Sequence, residues 1–485
     1  MTENEEKSNE IVVKLNNLDY RYDVYQMINI FLSFRDIKFD DENFTYEVIV
    51  DEDKVIINSQ YLSREYILDK KLKLKEELKI ILYKYFQEIT GKNMPWGTLI
   101  GIRPSKRAMN MIIEGKSEED IIKYFKEVTL TSEEKAKLCI DVARREMKYM
   151  NPSKDMVSIY IGMAFCPTRC LYCSFAANPI GKFKANIVQE YINALNKEII
   201  EISKYVKEHN LKIHTVYFGG GTPTSVNDDQ FNQVMKNIYE GFLLNGDVSE
   251  FTVECGRPDS ISSAKLDTMK KYSVSRISIN PQSMNDETLK LIGRNHTAED
   301  IIRVFNEARK LGFKDINMDM IIGLPGEKLK HVEKTLNYIK KLKPDSFTIH
   351  GLSVKRASRL YENIINNVKY EIAPQEELNK MFLATSMLAK EMNMYPYYMY
   401  RQKNMVGNME NIGYAHSDKE SIYNIEMMED KETIIALGAD AVTKVVYIDD
   451  DKLERFANIK DVREYVNRID EMIHKKIELL DTLYK

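Results

Sequence analysis

Three of the chain's five cysteines fall within eight residues, in the stretch Tyr160-Ile-Gly-Met-Ala-Phe-Cys166-Pro-Thr-Arg-Cys170-Leu-Tyr172-Cys173-Ser-Phe175. The spacing is C-x3-C-x2-C, just after an apolar, strand-like run. Thiolates are soft ligands and select iron–sulfur clusters, zinc or copper(I). A [4Fe–4S] cluster takes one cysteine per iron, so three leave one iron open to an exchangeable ligand. Zinc is the rival reading, but a structural zinc site wants four closed ligands, commonly in two close pairs, and the chain has no second pair. Three buried structural cysteines are the bland reading, since free Cys is often buried. Pro167 and Arg169 between the cysteines argue instead for a loop.

The elements around this stretch explain how it is held. From Val157 the sequence alternates short apolar strands with helix-period segments. The predicted strands are 157–164, 215–218, 251–254, 276–280, 317–322 and 346–350. Such alternation makes right-handed crossovers and a parallel sheet. Six units are too few for a closed eight-unit barrel and suit an open, curved (β/α)6 sheet. Parallel-sheet enzymes work in the loops after the strands, and the unusual residues gather there. The cysteines follow the first strand, and Gly219-Gly220-Gly221-Thr222-Pro223-Thr224 follows the second. Glu254 ends the third, Gln282 follows the fourth, Asp319 lies on the fifth before Gly323-Leu-Pro-Gly326, and the sixth runs into His350, Gly351 and Ser353. Taken singly, each is a tight turn or a solvated rim charge; as a series on one rim they point to a site. Glycines without side chains let backbone N–H groups approach a ligand closely.

The cysteine motif, with an aromatic before its last cysteine, resembles the signature of radical S-adenosylmethionine (SAM) enzymes. Ile277-Ser-Ile-Asn280-Pro-Gln282-Ser283 and Leu289-Lys-Leu-Ile-Gly293-Arg294-Asn-His296 narrow the resemblance to the oxygen-independent coproporphyrinogen III oxidase (dehydrogenase) group, in its HemZ-like branch. The motifs cover roughly residues 157–355. The resemblance implies a partial TIM barrel, a [4Fe–4S] cluster on Cys166, Cys170 and Cys173, and SAM chelating the open iron and cleaved to a 5′-deoxyadenosyl radical. It implies cofactor contacts from Tyr160, Tyr172, Gly220, Gly221, Thr222, Glu254 and Ser353. Gln282, Arg294 and Asp319 match positions that contact a second SAM. Ala436-Leu437-Gly438-Ala439-Asp440-Ala441-Val442 resembles a segment whose last residue lies near the adenine. The implied substrate is a tetrapyrrole whose propionates become vinyl groups.

Two departures keep other readings open. The oxidase branch has a further cysteine two residues after the third, where this chain has Phe175. The heme-chaperone branch carries an H-N-x-x-Y-W motif, which the region Asn404–Tyr414 lacks. A tetrapyrrole-modifying enzyme, a heme-binding chaperone and a radical enzyme acting on another substrate, RNA included, therefore all stand.

At 485 residues the chain is long for one core. The reading is an N-terminal α+β domain (1–150), the radical SAM core (151–355) and a C-terminal α+β lid (356–485). Pro95-Trp96-Gly97 to Lys106 carries the only Trp and reads as a joining loop with a Trp plug. Tyr395, Tyr397, Tyr398 and Tyr400 beside Arg401 and Lys403 are either core or a macrocycle platform with two propionate partners. Net charge −4 gives no bulk attraction to nucleic acid. The polar N-terminus is no leader, no run of about 18 apolar residues spans a membrane, and reduced thiols suit the cytoplasm. With no second cysteine cluster and no G-x-G-x-x-G, electrons are expected from a separate flavodoxin or ferredoxin.

Anaerobically purified protein should carry about four irons per chain, one cubane. Cys139→Ala and Cys255→Ala should keep them, and any of Cys166→Ala, Cys170→Ala or Cys173→Ala should lose them. Stoichiometric zinc, or iron lost on Cys255→Ala alone, would contradict this.

Overall fold

The computed structural model describes residues 10–484, apart from 34, 151–152, 176–177, 245, 367 and 451. The first proposed domain boundary falls on residues 151 and 152, outside those described.

Six parallel strands form the centre in chain order: Met156–Met163, Lys212–Gly220, Glu250–Gly256, Arg276–Ile279, Ile316–Ile322 and Ser346–Gly351. Along them buried apolar residues alternate with polar or charged ones, as in Glu250-Phe-Thr-Val-Glu254 and Asn317-Met-Asp319-Met, so that one face meets the helices and the other lines the interior. Between them run helices such as Ala185–Glu208, Asp228–Ile238, Ala298–Lys310 and Leu329–Leu342, each presenting an apolar stripe to the sheet. The sheet is open, as expected.

Its extent is larger than expected. The segment read as a lid continues the same sheet at both edges, giving eleven strands. On one side Asn411–Ala415 pairs antiparallel with the sixth core strand, and Tyr395–Tyr400 pairs with Asn411–Ala415. On the other, Thr433–Leu437 lies parallel to the first core strand, followed by Val442–Tyr447 and Lys452–Ala457 in antiparallel order. The proposed boundary at 355/356 thus divides segments that share one sheet.

The N-terminal portion is a separate five-stranded sheet, ordered 36–39, 10–15, 46–50, 54–59, 63–67. It packs on helices Arg21–Phe31 and Leu74–Thr90 around its own apolar core. Strands 36–39 and 63–67 were not anticipated, since their residues are mostly polar and exposed. Helix Pro104–Ile113 was not anticipated, its first residues being read as the end of a punctuated loop. Its proline sits at the first helical position, where a missing N–H costs nothing. Trp96 is a plug: it is fully buried, and its Nε1–H donates to Glu410 Oε2 at 2.7 Å. The Arg401 guanidinium lies 4.9 Å from the Trp96 ring centroid.

The tail docks through one buried acid. Glu198, in the middle of helix Ala185–Glu208, is wholly buried. Its oxygens accept from Gly438 N at 2.7 Å, the Tyr465 hydroxyl at 2.6 Å and Asn458 Nδ2 at 2.8 Å, and pair with Lys476, itself fully buried. Gly438 lies in the turn after Thr433–Leu437, Asn458 just after Lys452–Ala457, and Tyr465 and Lys476 on the terminal helices Val462–Asn467 and Ile469–Tyr484. Removing one member of a buried pair strands the other charge. Glu198→Ala should therefore cost about 3–5 kcal/mol in urea-unfolding free energy, whereas exposed Glu478→Ala should change it by less than about 0.5 kcal/mol.

Candidate functional site

A cavity of about 530 Å³ opens at the C-terminal ends of the core strands, within the usual range for ligand pockets. Cys166, Cys170 and Cys173 line it together with Tyr172, Gly220, Gly221, Thr222, Glu254, Gln282, Arg294, Asp319 and Ser353. The strand-end reading thus brings twelve of the fourteen anticipated residues to one surface. Tyr160 and Val442 are not among the lining residues. Tyr160 stacks instead on Tyr217 and Tyr423, at ring-centroid distances of 6.2 and 6.1 Å. Val442 is 43% exposed, at the start of an outer strand.

The cysteine loop is held from three directions. Phe165–Cys166 pairs briefly with Asn178–Pro179. Leu171 N donates to Ile292 O at 2.9 Å, and the Thr168 hydroxyl to Gly293 O at 2.8 Å. Leu171 O in turn accepts from Leu360 N. Thr222 Oγ1 lies 3.4 Å from Cys166 Sγ. Burial pushes the Cys166 thiol up to about 12 and raises Cys173. Three sulfurs in so dry a place ionise when a metal replaces their protons, so the donor set fits a cluster. Cys139 and Cys255 are buried elsewhere, Cys255 with its sulfur against Val253 O and Met269 Sδ.

The glycine run serves packing more than was anticipated. A Cβ on Gly221 would stand 2.4 Å from Phe165 O, and one on Gly219 2.7 Å from Glu254 Oε2. The run must therefore lie flush against the strand that delivers Cys166, with Glu254 seated over it.

The acidic residues divide by environment. Glu254 reaches the cavity surface but is surrounded by protein. Desolvation, then Asp319, push its carboxyl up to about 7, against hydrogen bonds from Tyr217 and Gly220 N–H. Burial also raises Asp319, but hydrogen bonding and charge from His350, with Asn317 and Thr348, outweigh it and hold Asp319 below its ordinary value. His350 Nε2 lies 3.7 Å from Asp319 Oδ2, and this pairing raises the imidazole against its own desolvation. Asp319 and His350 so form an ion pair, with Glu254 the proton-bearing neighbour.

Gln282 has a left-handed backbone, φ 62°, rare for a residue with a side chain. Its N–H donates to Asp319 O, its carbonyl accepts from Ile321 N, and its buried Oε1 has no partner among the described residues. Arg294 is buried; its Nη2 donates to Asn280 O at 2.7 Å and Gly256 O at 3.0 Å, and its Nη1 reaches the Tyr172 hydroxyl at 3.4 Å. It ties the cysteine loop to two strand ends, a bracing role the sequence reading missed. Ser353 donates to Lys403 O at 3.0 Å.

The tyrosine cluster also divides. Tyr398 and Tyr400 line the cavity, Tyr397 is buried and Tyr395 faces solvent. Arg401, anticipated as a propionate partner, is buried and committed to Leu99 O, Met409 O and Asn408; Lys403 lies outside the cavity lining. Lys355 lines the cavity instead, its ammonium 5.8 Å from the Phe175 ring centroid. It pairs with no carboxylate among the described residues. Arg257, bidentate to Asp259 at 2.9 and 2.6 Å, was missed as a site residue, and His350, placed on the rim by the sequence, was given no role there. Both sit at strand ends, and the same rim argument, extended three residues past Glu254, finds Arg257. Phe175 is 69% exposed at the cavity.

Residues 160–339 match the family model of the radical SAM superfamily. The chain is 40% identical over 415 residues to the oxygen-independent coproporphyrinogen-III oxidase-like protein HemZ of Bacillus subtilis, covering 85% of this chain and 82% of that one. The chain belongs to this HemZ-like family of radical SAM proteins. Family members use a [4Fe–4S] cluster and SAM, which the three sulfurs and the polar strand ends fit. The heme chaperone HemW of the same organism is 35% identical over 227 residues, 47% of this chain and 58% of that one. Among solved structures, Escherichia coli coproporphyrinogen III oxidase (HemN) shares the fold, with TM-score 0.52 at 19% identity over 67% of this chain and 72% of that one.

Glu254 yields a test. Its folded carboxyl titrates near 7 against an ordinary 4.5, so the folded state holds the proton longer than the unfolded one. Stability from this group is full below about pH 4.5 and declines as pH rises to 7. Glu254→Gln, which keeps the neutral form, should gain roughly 3 kcal/mol on wild type between pH 4.5 and 8, read by urea unfolding without SAM. A pH-independent difference would refute the assignment.

Proposed function

We propose that this chain is an oxygen-independent oxidoreductase of heme biosynthesis, converting propionate side chains of coproporphyrinogen III to vinyl groups in the cytoplasm. One observation carries the reading: a single cavity joins the cysteine triad to a tyrosine-lined wall and to Lys355, a cation with no acidic partner among the described residues. Flat rings and a free cation suit a macrocycle bearing carboxylates. The likeness to HemZ supports the same substrate class.

In this proposal Cys166, Cys170 and Cys173 would hold a [4Fe–4S] cluster, leaving it open to SAM. Together these cofactors supply the hydrogen-abstracting chemistry. Gly220, Gly221 and Thr222 form the rim against SAM, and Glu254, protonated near neutrality, both donates to and accepts from ribose hydroxyls. Gln282, with its unpartnered Oε1, Arg294 through its free Nε, and Asp319 face a second SAM. Ser353 borders the same space; Tyr160 and Val442 have no part in the assignment. Lys355 and the Tyr398 and Tyr400 rings orient the substrate, and the enclosing wall keeps out water. Each propionate, R–CH2–CH2–COO−, would give up a β-hydrogen atom to the group cleaved from SAM, one electron to a separate one-electron acceptor, and CO2, leaving R–CH=CH2. A flavodoxin or ferredoxin delivers the reducing electron for SAM cleavage.

Phe175, standing where the oxidase branch has cysteine, favours a second reading as a heme chaperone, and the likeness to HemW supports it. The deciding experiment is anaerobic incubation of the reconstituted protein with SAM, a reductant and coproporphyrinogen III, followed by mass spectrometry. Stepwise loss of two propionate carboxyls is expected. Lys355→Ala should lower turnover at least about tenfold, or 1.4 kcal/mol in barrier, with iron content unchanged. No turnover together with stoichiometric heme binding would establish the chaperone reading instead.

A further inference from the structure

At the end of the sheet opposite the cysteines, three ligating side chains converge. His214 lies near the start of the second core strand, Glu426 on helix Ile422–Glu429, and Glu432 just before the edge strand Thr433–Leu437. One ligand atom from each lies within 4.8 Å of the other two. Glu432 is buried, with its oxygens taken by the Ser158 hydroxyl and by His214 Nδ1 at 2.8 Å.

Glu426 is different. It is 2% exposed, and its carboxyl is influenced by neighbouring charges with no hydrogen bond to it among the described residues. Its nearest cations are His214 and Lys444. Lys444 is already engaged by Asp430 Oδ1 at 2.9 Å and Met427 O at 3.3 Å. Glu429 and Glu432 add negative charge nearby. Burial, then Glu432, push the Glu426 carboxyl up to about 8. Glu250, which also faces His214, is occupied by Thr252, Ser421 and Ile422 N. Ionised, a carboxyl as buried as that of Glu426 is costly unless a cation meets it, and its ligand atom lies within 4.8 Å of those of an imidazole and a second carboxylate.

We propose that His214, Glu426 and Glu432 form a second metal site, for a first-row divalent cation, separate from the cysteine cluster. One nitrogen and two carboxylate oxygens without sulfur suit Mn²⁺ or Zn²⁺ and disfavour iron–sulfur chemistry. A cation about 2.0–2.2 Å from each donor draws the three slightly together, displaces the proton between His214 and Glu432, and neutralises the paired acids. His214 is partly exposed, which gives water a route to complete the coordination. The role is positional. Helix Ile422–Glu429 presents Asn424, Met427 and Met428 to the cavity, and its Tyr423 ring stacks 4.4 Å from Tyr217. The cation ties this wall, from behind, to the second core strand and to the start of the edge strand.

The test uses full-length protein carrying its cluster, so that the cysteines are filled. Mn²⁺ is titrated by the loss of its free EPR signal, and Zn²⁺ by calorimetry, with thermal unfolding alongside. One equivalent of at least one cation should bind, raising Tm. Glu426→Gln and His214→Ala should each lower affinity at least tenfold and abolish the Tm rise, while metal-free Glu426→Gln unfolds no lower than wild type. Binding of neither cation, or unchanged binding in both variants, overturns the site. Zn²⁺ that binds equally in wild type and both variants belongs elsewhere and counts equally against it.

Discussion

A six-stranded parallel sheet that does not close leaves two edges of unsatisfied backbone, and this constraint shapes the rest of the molecule. Edges invite pairing with other chains unless they are covered. Here a single tail covers both. Asn411–Ala415 hydrogen-bonds along the sixth strand, and Thr433–Leu437 along the first. Because the strand ends of an open sheet splay apart, the same additions enclose the space between them. Tyr398 and Tyr400 come from one edge extension, and the helix joining the two extensions supplies Asn424, Met427 and Met428. The cavity wall is a by-product of satisfying the sheet.

The cavity concentrates charge in little solvent and balances it locally. Arg257 is matched by Asp259, His350 by Asp319, and Arg294 by two backbone carbonyls. Glu254, lacking a cation in direct contact, holds its proton instead. Lys355 is left over, beside the cysteine loop. Such a distribution suits a pocket that receives an anionic ligand while holding its own polar groups rigid.

The core was legible because short strands rich in apolar residues alternate with helix-period segments, and because chemically odd residues lie on or just after those strands. Cys166 was found by the spacing of its motif, and Glu254, Gln282 and Asp319 by strand position together with the family resemblance, without any contact being known. What escaped depends on distance or on register. Nothing in Thr433–Leu437 says that its partner is Val157–Ile161. Arg401 adjoins a tyrosine run in sequence, yet it leaves the strand end toward Trp96, and a bulge between Pro396 and Tyr398 resets which rings face the cavity. Arg294 was read as a ligand contact from its matched family position; its bracing partners are backbone carbonyls, invisible to any motif. The glycine run was legible as a close approach, but the sequence could not tell whether ligand or protein does the approaching.

The far-reaching pairing also has a consequence for synthesis. The edge partner of the first core strand lies roughly 280 residues downstream, which at typical translation rates is on the order of 15–55 s of elongation. Through that interval the nascent sheet shows the ribosome surface an apolar strand with one side unpaired. Contacts of such separation form late and slowly. The cysteine loop, adjoining that strand, is emergent long before the wall that will enclose it. Cluster insertion therefore has a natural window, after the six strands have assembled and before the tail is released from the ribosome, during which the sulfurs are reachable from outside.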